Sequence, residues 1–173
     1  MPTMTRNPAS PSASHQRKAR RLEILVHDRR WLRALPNAAA LLKGAAKTAF
    51  RTVKSRPSPG FFTLVLVSDA EMRSLNRIFR GRGKPTNVLS FQGLDGEESD
   101  IILAFETCRR EARDQGKPLA DHARHLLVHG ILHALGHDHE QPAAARKMEA
   151  LETKILKSLR IPDPYMPRSK GRG

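Results

Sequence analysis

Three histidines carry the clearest chemistry in this sequence. His129, His133 and His139 lie in the run His-Gly-Ile-Leu-His-Ala-Leu-Gly-His-Asp-His, residues 129–139. On a helix, residues four apart project from one face a single turn apart, so the imidazoles of His129 and His133 can converge. Leu126, Leu127, Ile131, Leu132 and Leu135 give that helix its apolar positions. Gly136 should stop it, because glycine tolerates the left-handed conformation found at helix C-termini. A sharp turn there returns His139 toward the other two. Three neutral imidazoles with one open position form a catalytic zinc set, whereas structural zinc sites usually close with four protein ligands. Nickel or iron would accept the same donors, but three histidines suit zinc best. The expectation is one Zn2+ per chain.

The spacing His-x-x-x-His-x-x-Gly-x-x-His is that of the metzincin zinc proteases. Those enzymes place a glutamate directly after the first histidine as general base, and this chain has Gly130 there. Peptide hydrolysis by the metal-plus-glutamate route is therefore disfavoured. The metal must activate water with less help, or the nucleophile must come from elsewhere, a 2′-hydroxyl of RNA being one source. Asp138 is a candidate acceptor to orient an imidazole. His137 reads as a turn residue, and His122 and His125 as packed or surface histidines. Glu140 reads as a nearby acid or as the cap of the next helix.

The elements that must position these groups follow from periodicity and punctuation. Leu22–Val26 reads as a strand. Asn37–Ser55 reads as a helix, with Leu41, Leu42, Ala45, Ala49 and Val53 on or near one face, broken by Pro57, Pro59 and Gly60. Phe61–Val67 is an apolar strand. Ser68-Asp69-Ala70-Glu71 matches a capping box and opens a helix on which Met72, Leu75 and Phe79 face one way while Arg73, Arg77 and Arg80 form a basic stripe. Gly81–Pro85 is a loop, Asn87–Phe91 a strand, Asp95–Ser99 an acidic loop and Asp100–Ala104 a strand. Three helices follow: Glu106–Gln115, Leu119–Leu135 with the histidines, and Ala143–Leu159 with Met148, Leu151, Ile155 and Leu159 inward. The sum is one α+β domain over residues 21–166, with a mixed sheet of about four strands, five to six helices, and the zinc site at the end of a central helix.

Composition narrows the partner. The 173 residues suit one domain, and their 39% hydrophobic content supports a mainly aliphatic core, since aromatics are only 5%. No apolar run reaches the roughly 20 residues of a membrane span. A single cysteine, Cys108, excludes an internal disulfide and fits a reducing compartment such as the cytoplasm; it reads as a small hydrophobe on a helix. Of the net charge of +14, residues 1–21 hold +5 and residues 168–173 hold +3, leaving +6 on the body. A basic body favours a polyanionic partner: RNA, DNA or the ribosome. Residues 1–20 and 167–173 read as basic tails, the first expected to be disordered and without the apolar stretch of a secretory signal.

With these residues in view, the chain resembles the YbeY family of bacterial endoribonucleases. The resemblance rests on the histidine run, on Leu75-Asn76-Arg77-Ile78-Phe79-Arg80-Gly81 followed by Lys84-Pro85-Thr86-Asn87-Val88-Leu89-Ser90-Phe91, and on Met148-Glu149-Ala150-Leu151-Glu152 with Asp163-Pro164-Tyr165 beyond. It spans about residues 61–166. It implies a zinc-dependent RNase specific for single strands, acting in ribosomal RNA maturation at the small-subunit RNA 3′ end and in ribosome quality control. The partners implied are single-stranded RNA, rRNA and the ribosome or small-subunit proteins, with a monomeric, cytoplasmic chain. The resemblance assigns His129, His133 and His139 to zinc and gives Arg80 a catalytic role, its guanidinium fork suited to phosphate. Arg73, Arg77, Arg82 and Lys84 become candidate RNA contacts. The chain departs from the family in having Ser99 before Asp100, His137 before Asp138, and Gly83 before Lys84. Two other readings remain open: a zinc hydrolase acting on peptides, and a ribosome-binding assembly factor in which zinc is structural.

Overall fold

The computed structural model describes residues 20–53, 60–92, 98–137 and 140–166. Both basic tails, most of the acidic loop, Asp138 and His139 lie outside the described residues, apart from Arg20 at the edge of the N-terminal tail. Four strands, β1 (Arg21–Val26), β2 (Phe61–Val67), β3 (Val88–Gln92) and β4 (Glu98–Ala104), form one sheet in the order β1-β2-β4-β3. The β1–β2 and β2–β4 pairs are parallel and β3 runs antiparallel to β4, so the sheet is mixed. Among the described residues there are six helices: α1 (Arg30–Ala34), α2 (Ala38–Thr52), α3 (Asp69–Arg80), α4 (Phe105–Asp114), α5 (Leu119–Ala134) and α6 (Pro142–Ser158).

Strand alternation sorts the core into two layers. Phe62, Leu64 and Leu66 of β2 and Ile101 and Leu103 of β4 point to one face, where they meet α2, α5 and α6 in the main core. Val67, Ile102, Ala104 and Leu89 point to the other and form a small cluster with Met72 of α3. Helix α5 lies at the centre of the main layer, in contact with α2, α4, α6, β3 and β4. Its polar and apolar residues are sorted accordingly, with Leu126, Leu127, Val128, Ile131 and Leu132 buried.

The start of α3 is set by the expected cap: the Glu71 amide donates to the Ser68 side-chain oxygen at 3.2 Å. Glu71 does not close the box but pairs with His27 at 2.7 Å. The end of α5 is a Schellman turn, with the Gly136 amide on His133 O, the His137 amide on Leu132 O, and Gly136 at φ +85°.

Three points differ from the expectation. Residues 30–34 form the short helix α1, where no element was expected. Five residues are too few to show a period; the helix is held by Trp31, fully buried, whose indole N–H donates to Val67 O and whose ring packs edge-on against Phe105. Glu98 and Ser99 belong to β4 rather than to a loop, because β2 extends to pair with them at Phe61 and Phe62. Helix α2 ends at Thr52, the chain leaving the helix at Val53 with extended backbone. Phe79 shares the α3 face of Met72 as the spacing implies, but the stripe runs past the core: Met72 is fully buried and Phe79 is 60% exposed.

Candidate functional site

The helical spacing does what the sequence implies. The Nε2 atoms of His129 and His133 face each other 3.1 Å apart, with ring centroids 4.6 Å apart. That separation is roughly the 3.3 Å edge of a tetrahedron built on zinc–nitrogen bonds of ~2.0–2.1 Å. The third expected ligand, His139, and the expected orienting acid, Asp138, lie outside the described residues. Among the described residues no group of three metal-binding side chains occurs. Glu140, the next residue in the chain, lines the same cleft as the two histidines.

An acid to which sequence reasoning gave no role completes the pair. Glu152 of α6 is fully buried, and its Oε1 lies 2.9 Å from His129 Nδ1. The carboxylate accepts that N–H, which fixes the tautomer and leaves the Nε2 lone pair pointing into the site. Its second oxygen accepts the Tyr165 hydroxyl, and His125 Nε2 lies 3.6 Å from Oε1. Burial pushes the Glu152 carboxyl up, but the hydrogen bonds from His125, His129 and Tyr165 overcome it and hold it at about 2. Burial, and then the same contact, push the Tyr165 hydroxyl well above the ordinary phenol range. The donor set therefore fits a zinc ion: converging imidazole nitrogens, one of them backed by a buried carboxylate. A signal was present in the sequence. Glu152 falls at the helical register of Met148 and Ile155, which is a carboxylate at a core position.

Gly130 is a packing requirement as well as a missing base. A Cβ there would stand 2.8 Å from Ile101 Cγ2 and 2.9 Å from Ser90 Oγ. Helix α5 crosses β3 and β4 so closely that any side chain here would force Ile101 or Ser90 to shift. A glutamate, the protease-type base, would be the more strained for its length.

The histidines open onto a cleft of about 510 Å³. Arg80, at the C-terminal end of α3, also lines it, and Asn87, Ser90 and Phe91 contribute from in and around β3. Gly81, at φ +65°, ends α3 immediately after Arg80. Buried Asn76 then ties down the loop: its side-chain amide donates to Lys84 O at 2.6 Å, and its carbonyl accepts from the Arg82 amide. Asn87 is held by Glu111, whose Oε2 accepts from the Asn87 amide at 2.9 Å and lies 2.8 Å from His122 Nε2. Burial raises the Glu111 carboxyl, but those two contacts carry it below its ordinary range. Cys108 is fully buried against Asn87 O, and burial raises its thiol far above neutrality, as expected of a packed hydrophobe.

The other basic residues separate. Arg82 and Lys84 line a neighbouring depression of about 450 Å³ that shares Thr86 with the cleft. Arg73 and Arg77 are exposed on α3 and line neither, the Arg77 guanidinium lying beside Gly83. His122 is buried and paired with Glu111, and His137 is half-buried after the turn, burial lowering its pKa.

Comparison with known proteins finds relatives along most of the chain. The family described as endoribonuclease YbeY matches residues 27–160. The chain is 47% identical over 146 residues to an endoribonuclease YbeY of Paramagnetospirillum magneticum, covering 78% of this chain and 89% of the relative. It is 41% identical over 166 residues to that of Cereibacter sphaeroides, covering 83% and 98%. In Halorhodospira halophila the relative is 51% identical over 118 residues, covering 63% of this chain and 77% of the relative. A solution structure of a protein from Thermotoga maritima shares the fold, with a TM-score of 0.52 at 22% identity, over 88% of this chain and all of the other.

Proposed function

The chain belongs to the endoribonuclease YbeY family, and from that premise we propose that it is a zinc-dependent hydrolase cleaving single-stranded RNA. One observation carries the reading: Arg80 and the converging pair His129 and His133 line the same cleft. His129, His133 and His139 would hold the ion. When bound, zinc supplies a Lewis acid and a lowered pKa for an oxygen nucleophile. Glu152 holds the His129 ring in place, accepting its Nδ1 proton. Arg80 binds and orients the phosphate, offering a planar fork of donors to charge that develops there. Gly130 stands where a zinc protease carries its general-base glutamate, directly after His129, and this disfavours the peptide-hydrolase reading.

The cellular role follows the same proposal: maturation of the small-subunit rRNA 3′ end and late ribosome quality control, by a cytoplasmic monomer that meets the ribosome or its small-subunit proteins. The basic charge of the chain supports a polyanionic partner, and no described helix is long and apolar enough to cross a membrane.

The test is purification with elemental analysis, then cleavage of a labelled single-stranded RNA, its duplex and a peptide library. We expect about one zinc per chain, cleavage of the single strand alone, and loss of cleavage with retained folding in His133→Ala. Arg80→Ala should keep the metal and cut roughly 100- to 1,000-fold more slowly, the typical cost of one donor to developing charge. Cleavage of peptide instead of RNA overturns the substrate. Unfolding of His133→Ala with full ribosome binding by the parent, but no cleavage, would mark the zinc as structural.

A further inference from the structure

Helix α3 breaks its own pattern at its last turn. Met72 is fully buried, whereas Phe79, two turns further along the same face, is 60% exposed and its neighbour Ile78 is 72% exposed. A lone exposed hydrophobe is ordinary, but this one has company. The Phe79 ring lies 4.8 Å from the Phe91 ring at 54°. Phe91 is packed on the small core cluster and lines the cleft that holds Arg80 and the two histidines. Phe79 is also adjacent in sequence to Arg80, which lines that cleft. A wet aromatic packed on a second one, which in turn lines a cleft with a guanidinium, is a combination that suits unpaired nucleotides: an aromatic face for a base, and a cation within the same cleft for its phosphate.

We infer that Phe79, braced by Phe91, is a stacking platform for an unpaired base of RNA whose adjoining phosphate lies on Arg80. The inference rests on the proposed RNA-cleaving function and deepens it, because it assigns the single-strand preference to a surface. Bases inside a duplex are stacked on each other and present edges, not faces, to a protein. Only a splayed-out base can lie on Phe79. Every base has a π-face, so the platform selects for strandedness and tolerates sequence.

The test uses the full-length, zinc-loaded protein and a short oligoribonucleotide with 2-aminopurine at successive positions around the cleavage site. Phe79→Leu keeps apolar bulk and removes the ring; Phe79→Trp keeps a ring. We expect Phe79→Leu to weaken single-strand binding by roughly 5- to 150-fold, the usual range for one stacked base. The loss should fall on KM rather than kcat, and 2-aminopurine quenching should vanish at one position. Phe79→Trp should restore both. An abasic nucleotide at that position should bind the parent as weakly as the intact strand binds Phe79→Leu. Equal binding of the parent and Phe79→Leu, or of intact and abasic strands, overturns the platform while leaving the RNase assignment standing. Failure of the parent to bind or cut any RNA overturns the proposed function itself.

Discussion

Gly130→Ala is the sharpest single perturbation of this fold, because helix propensity and packing pull in opposite directions. In an exposed helix interior the change stabilises by about 1 kcal/mol. Here the new methyl would start 2.8 Å from Ile101 Cγ2 and 2.9 Å from Ser90 Oγ, against an optimum carbon–carbon separation of about 3.5–4.0 Å. The overlap with Ile101 is therefore about 1 Å. Ile101 is fully buried and β-branched, so its Cγ2 cannot swing aside without leaving its rotamer. Overpacking of this kind costs about 1–3 kcal/mol, so the net should be a loss of roughly 0–2 kcal/mol where propensity alone predicts a gain. The clash also forces α5 away from β3, and with it His129 and His133 away from Arg80 and Phe91. A shift near 1 Å between parts of a site can cost about 100-fold in rate. Urea unfolding of the zinc-loaded protein and single-turnover RNA cleavage read the two effects. A Gly130→Ala variant about 1 kcal/mol more stable than the parent, with full activity, would refute the close-approach argument. Gly130→Glu, which restores the protease-type residue, should fold worse still and gain no peptidase activity.

Three further outcomes are expected. Glu152→Gln removes the charged acceptor behind His129 and should weaken zinc affinity by about 10- to 100-fold in chelator competition; unchanged affinity would deny the carboxylate its orienting role. Glu111 is held below the ordinary carboxyl range of 4.5 by His122 and Asn87 against burial, so its contribution is whole above that value and drains away as the pH falls through the lowered one. The stability gap between the parent and Glu111→Gln should therefore narrow as urea unfolding is repeated from about pH 6 down to about pH 3; a gap that widened would reverse the sign. Arg160 sits in the left-handed region at φ 58° where α6 ends. Arg160→Gly should stabilise by up to about 1 kcal/mol, relief of side-chain strain exceeding the entropy lost by glycine; a destabilised variant would show that the arginine side chain holds the turn.

The legible parts of the fold are those in which local chemistry and tertiary packing agree. Ser68 announces α3 because its oxygen caps Glu71 N whatever lies around it. Gly136 ends α5 because the turn needs a left-handed residue. His129 and His133 share a face by helix geometry alone. Other features depend on partners distant in sequence. Glu98 and Ser99 are strand only because β2 reaches them, and Phe79 is exposed because the apolar stripe of α3 runs off the core. Glu152 acquires its meaning from His129, 23 positions away, although its place between Met148 and Ile155 marked a buried acid. Gly130 reads in sequence as an absent glutamate; the reason for its smallness is Ile101 and Ser90 on the sheet beneath.

The antiparallel placing of β3 also bears on the order in which the cleft is assembled. Gln92 faces Ser99 seven positions on, whereas Phe61 faces Glu98 thirty-seven on and Arg21 faces Phe61 forty on. Closing the longer spans costs about 1.5 kcal/mol more chain entropy than closing the short one. Pairing of β3 with β4 thus has the lowest closure cost of the three strand pairings, which predicts that it forms before the parallel pairs, with the higher φ-values in a mutational analysis of folding. In that order the wall carrying Asn87, Ser90 and Phe91 would form ahead of the rest of the sheet, and α5 would set its histidines against it afterwards.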